Sequence, residues 1–222
     1  MKIVALLPVN ALTRIKTRLA ASLSAYERER LVLWMAGLAL DAIRASGGIA
    51  ESALISPDAA VARWADEQGM TALRQSGGGL NAGLEEGRQW ALACAADALL
   101  VVLPDLPLVT GPDIAQMVSA LPDNAEIRAA VLAPDRYDNG TNALLIQPAE
   151  AAPFAFGRGS FARHCMLVRQ AGIEPVIVHN PRLAFDVDTW ADVERLRSLG
   201  IWTPRESREL SAFCTASEGG HL

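Results

Sequence analysis

Along this chain, apolar runs too short for a helix alternate with longer stretches in which apolar residues recur every three or four positions. "KIVALL" (2–7) is apolar almost without interruption, the pattern of a strand buried on both faces. "SAYERERLVLWMAGLALDAIRAS" (24–46) then predicts a helix behind a Ser24-x-x-Glu27 capping box. "ESALIS" (51–56) reads as a strand, with Pro57 at the start of a helix over "DAAVARWADEQG", and "MTALRQ" (70–75) reads as a third strand. A glycine-rich turn opens the helix of "GGGLNAGLEEGRQWALACAADA", ahead of "ALLVVLP" (98–104), the most strand-like run in the chain. "GPDIAQMVSAL" predicts a short helix, and "RAAVLAP" and "NALLIQ" two strands around the polar loop "DRYDNGT". A helix in "GSFARHCMLVRQAG", a strand in "EPVIVH" and a last helix in "DTWADVERLRSLG" complete the series. The alternation predicts one α/β domain over residues 1–200, a mostly parallel sheet with helices on both faces. From Ile201 the periodicity is lost, and 201–222 reads as a C-terminal tail whose end is poorly ordered.

Composition narrows the function classes. At 222 residues and 51% hydrophobic, the chain can bury one sizeable core. A net charge of −5 argues against a nucleic-acid coat or a membrane-surface protein, since both need a basic face. An anionic ligand must therefore be met by a local cluster of positive charge. No uninterrupted apolar span is long enough to cross a membrane, and "MKIVALLPVN" is broken by Pro8 too soon for a signal peptide, so a cytoplasmic protein is expected. Cys94, Cys165 and Cys214 form no Cys-x-x-Cys pair and read as packed or free thiols.

In open α/β sheets, ligands bind outside the carboxyl ends of the strands. Asn10, Arg14, Lys16 and Arg18 follow the first strand, Gly77 to Gly79 and Asn81 the third, and Asp105 the fourth. Thr141 and Asn142 stand where the polar loop meets the sixth strand, Gly157, Arg158 and Ser160 precede a helix N-terminus, and Asp186 and Asp188 stand before the last helix. Cations, bare backbone turns and isolated carboxylates together suit a polyphosphate and a divalent metal.

Lys16 is the sharpest of these residues. Only Lys2 and Lys16 are lysines among 20 basic side chains, so a lysine here suggests a need for a compact ammonium that can follow phosphate oxygens. A solvated loop charge is the plainer alternative. "GGGLNAG" departs from the Gly-x-Gly-x-x-Gly spacing of dinucleotide sites, although its glycines still permit close approach to a ligand and Asn81 offers donor and acceptor to a base or ribose. No Gly-x-x-x-x-Gly-Lys-Ser/Thr motif is present. Asp105, in "VVLPDLPLV", reads either as a structural cap of the following turn or, since a carboxylate where a buried strand ends needs a partner, as a ligand of Mg²⁺. Asp186 and Asp188, if extended, point the same way, with Asp188 also placed to cap the last helix. His164, His179 and His221 fit no metal spacing, and His164 reads as a satisfied helix-surface residue.

The ordered set "KTRLA", "GGGLNAGLEEG", "VVLPDLPL", "DNGTNALLI", "FGRGSFARH" and "FDVDTWADVERL" resembles the guanylyltransferase family of deazaflavin coenzyme biosynthesis, over nearly the whole chain to about Leu199. The resemblance implies a nucleotide-diphospho-sugar transferase-like fold, shared with molybdenum-cofactor guanylyltransferase. It also implies transfer of GMP from GTP onto the phosphate of 2-phospho-L-lactate, phosphoenolpyruvate or 3-phospho-D-glycerate, with a second enzyme taking the product. On this basis Lys16, Arg18 and Asp105 are expected to be catalytic, and Asp105, Asp186 and Asp188 to hold Mg²⁺. Asn10, Arg14, Gly78, Gly79, Leu80 and Asn81 would bind GTP, and Thr141, Gly157 and Ser160 the acceptor. The family usually carries a lysine where this chain has Asn10, which shifts charge neutralisation onto Lys16, Arg18 and Arg14. Arg158 has no motif-based role. A glycosyltransferase or other sugar-nucleotide enzyme, and a non-catalytic nucleotide-binding domain, are the rival classes. "LVLWMAGLAL" is apolar enough to face either the core or a second copy, leaving a homodimer open.

Overall fold

A computed structural model describes residues 1–14 and 16–202, the side chain of Arg14 excepted. Cys214, His221 and the expected tail from residue 203 onward lie outside the described residues. The strands are β1 (Ile3–Pro8), β2 (Glu51–Ser56), β3 (Thr71–Arg74), β4 (Ala98–Val102), β5 (Ala129–Pro134), β6 (Thr141–Gln147) and β7 (Val176–Ile177). The helices are α1 (Ala25–Ala45), α2 (Ala59–Glu67), α3 (Gly79–Ala93), α4 (Gly111–Ser119), α5 (Ser160–Gln170) and α6 (Trp190–Ser198).

All strands join one sheet in the order β3-β2-β1-β4-β6-β5-β7. Pairing is parallel except at β6, which runs antiparallel to both β4 and β5. The continuous apolar runs are explained by burial on both faces. In β1, Ile3, Ala5 and Leu7 enter one core while Val4 and Leu6 enter the other, and β4 divides Ala98, Leu100 and Val102 from Leu99 and Val101 in the same way. Helices α1, α2, α4 and α6 cover the first face, and α3 and α5 the second.

The predicted capping box starts α1. Ser24 Oγ accepts from the Glu27 N–H at 3.3 Å, and the Glu27 carboxylate accepts from the Ser24 N–H at 2.8 Å. Leu31, Met35, Leu40 and Ile43 of this helix are buried within the chain's own core, each contributing about 1.5–3 kcal/mol. The inner face of "LVLWMAGLAL" is thus covered by the fold itself. Helix α2 is capped by Asp58, which accepts from the Ala60 N–H at 2.9 Å, so Pro57 stands just before the cap and not at the helix start. Strand β7 is shorter than the expected "EPVIVH": Pro175 has no N–H to donate ahead of Val176 and Ile177, the two residues in register with β5, and the Val178 N–H makes a last bond to the Leu132 carbonyl at 2.8 Å. Ile201 and Trp202, the first residues of the expected tail, pack on the first core, with the Trp202 ring 6.4 Å from that of Trp34. Cys94 and Cys165 are free thiols, and among the described residues no helix is long and apolar enough to cross a membrane.

Candidate active site

Beyond the carboxyl ends of β1 and β4 lies a cleft of about 300 Å³, walled by Pro8, Asn10, Leu80 and Leu103, with Lys16, Arg18, Asp105 and Asp188 at its polar end. The β1–α1 connection forms two 3₁₀ turns, Leu12–Arg14 and Thr17–Leu19. Lys16 stands ahead of the second in the left-handed region, at φ 46° and ψ 43°. A non-glycine residue there is costly, by roughly 1–3 kcal/mol, and persists only when its surroundings hold it. Here the hold is electrostatic. Lys16 Nζ donates to Asp105 Oδ2 at 2.6 Å and to Asp188 Oδ1 at 2.9 Å. Burial pulls the ammonium pKa down, but the two carboxylates more than reverse this and raise it, so Lys16 is a fixed positive charge.

Asp105 follows β4 through the Leu103–Pro104 bend, and its carbonyl accepts from the Val187 N–H at 3.1 Å. Its Oδ1 is buried with no hydrogen-bond partner, an orphan acceptor beside a cluster of polar groups. Asp188 was expected to cap α6, but Thr189 occupies that position and closes a box with Asp192. The Asp188 carboxylate is thereby left for Lys16 and for Arg18 Nη1, the latter at 3.6 Å from a largely exposed side chain. Asp186 points elsewhere, with its Oδ1 3.5 Å from Arg136 Nη2. Burial raises the Asp186 pKa, and the charges of Asp105 and Asp188 add to the rise. Segment 184–188 is not a strand, so the expected parallel aim of Asp186 and Asp188 gives way to two different partners. Among the described residues no group of three or more His, Cys, Asp or Glu side chains is arranged to hold a metal ion, and the Lys16 ammonium occupies the space between Asp105 and Asp188.

The glycine turn enters α3 with Gly77, Gly78 and Gly79 at φ 154°, 82° and 81°. Gln75 holds it from below, its Nε2 donating to the carbonyls of Gly77 at 2.8 Å and Gly79 at 2.7 Å. Leu80 reaches the cleft. Asn81 does not present its amide to open space: it donates to the Phe156 carbonyl at 3.1 Å and accepts from the Phe156 N–H at 2.8 Å. It therefore ties α3 to the segment carrying Gly157.

Thr141 and Ser160 are each 1% exposed, and their polar groups serve each other and His164. Ser160 Oγ accepts from the Thr141 N–H at 2.8 Å, and Thr141 Oγ1 lies 2.9 Å from His164 Nδ1. His164 is buried, against the expectation of a surface position, but it is satisfied: its Nε2 accepts from the Ala155 N–H at 2.9 Å. With Nε2 an acceptor, the ring proton sits on Nδ1. Gly157 and Arg158 remain exposed at the tip of this turn, with Gly157 at φ 121°. Asn10 is exposed at the cleft wall, and the Arg14 side chain lies outside the described residues.

Three contributors escaped the sequence reading. Arg136 carried no local signal, since its partners Asp186 and Asp192 are brought near only by folding, whereas Gln75 acts two and four positions along the chain, within the turn itself. Asp192 had one: Thr189-x-x-Asp192 has the spacing of a capping box.

The guanylyl transferase CofC-like family model matches residues 1–201. A phosphoenolpyruvate guanylyltransferase of Sphaerobacter thermophilus is 45% identical over 88% of this chain and 93% of its own. A 2-phospho-L-lactate guanylyltransferase of Methanothermobacter thermautotrophicus is 31% identical over 87% of this chain and 83% of its own. Among solved structures, a nucleotidyl transferase from Methanothermobacter superposes with a TM-score of 0.60 at 15% identity, covering 89% of this chain and 96% of that one, a likeness of fold. The match along nearly the whole described chain places this protein in the CofC-like guanylyl transferase family.

Proposed function

We propose that this protein transfers GMP from GTP to the phosphate of phosphoenolpyruvate and releases pyrophosphate. The observation that carries the reading is the Lys16 ammonium clamped between Asp105 and Asp188 at the strand ends, in a chain 45% identical to a phosphoenolpyruvate guanylyltransferase. An oxygen of the acceptor phosphate attacks the α-phosphorus of GTP, and the bond from that phosphorus to the bridging oxygen of the β-phosphate breaks. The nucleophile is already an anion at neutral pH, so no general base is needed, in keeping with a His164 that is fully engaged inside the protein. The tasks left to the protein are positioning and charge neutralisation. Lys16 exchanges a carboxylate for phosphate oxygens through its flexible stem, and exposed Arg18 supplies a second cation at the same rim.

Among the described residues no three carboxylates form a ready-made metal site, but Asp105 Oδ1, a buried acceptor lacking a protein partner, and the Asp188 carboxylate offer hard oxygen donors of the kind Mg²⁺ prefers once a triphosphate draws Lys16 away. When bound, Mg²⁺ supplies neutralisation of charge on the phosphate oxygens. Gly78, Gly79 and Leu80 offer the nucleotide a backbone turn without bulky side chains near its entrance, and Asn81 links that turn to the acceptor side. Thr141 and Ser160 act from beneath, setting the turn at Gly157 whose exposed backbone meets the acceptor anion at the start of α5. The diphosphate-linked product suits a following enzyme of deazaflavin coenzyme biosynthesis.

Purified protein incubated with GTP, Mg²⁺ and each of phosphoenolpyruvate, 2-phospho-L-lactate and 3-phospho-D-glycerate should yield pyrophosphate and a guanosine diphosphate-linked product of the expected mass, fastest with phosphoenolpyruvate. Faster turnover of another acid would reassign the acceptor. Inertness with all three, alongside use of another nucleoside triphosphate with a sugar phosphate, would replace the reading with a sugar-nucleotide enzyme.

A further inference from the structure

We infer that Asn81 is a positioning residue that fixes the acceptor turn at Gly157 against the nucleotide turn at Gly78 to Leu80, rather than a ligand of the nucleotide. The inference rests on the two-substrate reading above. In-line transfer needs the attacking oxygen and the α-phosphorus about 3–3.5 Å apart, so two turns that each hold one substrate must be held to each other. The nucleotide turn opens α3 and the acceptor turn opens α5, while the strap leading to the latter, 153–156, is neither strand nor helix.

Side chains replace the missing ladder. All four backbone polar groups of Ala155 and Phe156 have a side-chain partner. From α5, His164 Nε2 accepts from the Ala155 N–H at 2.9 Å and Arg163 Nη2 donates to the Ala155 carbonyl at 3.0 Å. From α3, Asn81 Oδ1 accepts from the Phe156 N–H at 2.8 Å and Asn81 Nδ2 donates to the Phe156 carbonyl at 3.1 Å. The amide thus copies the donor and acceptor pair of a strand residue, just past Gly79 on one side and just before Gly157 on the other. Arg88, two turns further along α3, donates from Nη2 to the Ala152 carbonyl at 2.8 Å and lies 4.1 Å over the Phe154 ring, so one helix grips the strap at two points. Among the described residues the exposed N–H groups of Gly157 and Arg158 find no acceptor, which leaves the tip open to an anion while its stem is fixed. The nucleotide turn has supports of its own: Gln75 holds the carbonyls of Gly77 and Gly79, and the Glu86 carboxylate accepts from the Ser76 N–H at 3.0 Å. Loss of the Asn81 amide therefore leaves the nucleotide turn standing and releases the acceptor turn.

The test is steady-state kinetics of the intact chain with GTP and the fastest of the three phospho-acids, for wild type, Asn81→Asp, Asn81→Leu and Gly87→Ala. Aspartate keeps an acceptor for the Phe156 N–H and loses the donor to its carbonyl; leucine loses both. Misplacing a reactant by about 1 Å costs roughly 100-fold in rate. Per folded molecule, Asn81→Leu should lower kcat by about 10–100-fold and raise KM for the acid several-fold. KM for GTP should stay within about twofold of wild type, with Asn81→Asp in between on the other constants. Gly87→Ala, which crowds the same helix against Leu6, should keep wild-type constants per folded molecule. If KM for GTP rises as much as KM for the acid, Asn81 touches the nucleotide, and the inference is overturned while the transfer reading stands. If folded Asn81→Leu keeps wild-type constants and loses only melting temperature, the amide serves stability alone and the inference is likewise overturned. If wild type turns over GTP with none of the three acids, the transfer reading falls and the inference with it. Should Asn81→Leu fail to fold, Asn81→Asp decides the matter alone.

Discussion

Acid should destabilise this protein through His164. The ring is 1% exposed, and burial, aided by the nearby Arg163, pushes its pKa down from 6.5 to about 4. A second ring proton would have to enter at Nε2, where the Ala155 N–H already points at 2.9 Å. Between pH 6.5 and about 4 the unfolded chain holds this proton and the folded chain does not. The stabilisation is therefore complete above about pH 6.5, declines as the pH falls, and is gone below about 4. At about 1.4 kcal/mol for each pH unit the difference amounts to ~3 kcal/mol, a large part of the ~5–15 kcal/mol typical of a domain. Urea unfolding followed by tryptophan fluorescence, on wild type and His164→Gln at several pH values between about 4 and 7, isolates the effect because other groups titrate alike in both. The stability gap between wild type and variant should shrink by ~3 kcal/mol toward the acid end. A gap that stays constant across that range would refute the assigned burial and tautomer.

Four further outcomes are expected. Asp105→Asn should lower kcat/KM by roughly 100-fold or more through loss of a cation ligand, and a near-normal rate at saturating Mg²⁺ would remove Asp105 from the site. Lys16→Arg should reduce kcat/KM for GTP by about 10-fold or more despite retained charge, since a planar guanidinium cannot take up the two contacts of 2.6 and 2.9 Å from a left-handed backbone; equal steady-state rates would argue that any cation suffices. Asn10→Lys adds a charge to the cleft wall and should lower KM for GTP several-fold, by about 1 kcal/mol of binding, with an unchanged KM showing that position 10 lies away from the triphosphate. Gly87→Ala would place a methyl 2.7 Å from Leu6 Cδ1, between α3 and β1, and should cost about 1–3 kcal/mol in a melting experiment while sparing turnover per folded molecule; a neutral variant would mean looser packing there.

The parts of the fold legible in the sequence were those governed by neighbours along the chain. The limits of α1 follow from Ser24, Glu27 and an uninterrupted apolar period, and all of these act within a few turns. β1 and β4 were readable because burial on both faces forces a continuous apolar run. At the site, Lys16, Asp105 and Asp188 were legible as residue types at strand ends, and the structure joins them around one ammonium. The roles of Asn81, Thr141 and Ser160 were less accessible, because a polar side chain near a turn looks the same in sequence whether it meets a ligand or a distant backbone. Asn81 finds Phe156 and Ser160 finds Thr141 only after the sheet has formed. Arg136 and Asp192 stand 56 positions apart, beyond any local rule.

The reversed strand β6 has an architectural effect of its own. A parallel successor to β5 would have to begin at the far rim of the sheet, and the chain would return there through a long crossover. Running backwards, β6 begins beside the end of β5, with Thr141 paired to Pro134, and the two are joined by a hairpin loop over residues 135–140. The entire loop stays on the ligand rim, supported by a strand on either side. Related enzymes could therefore exchange or resize this one hairpin while leaving every crossover helix untouched, which makes it a place where the rim of the sheet can diverge without refolding the sheet.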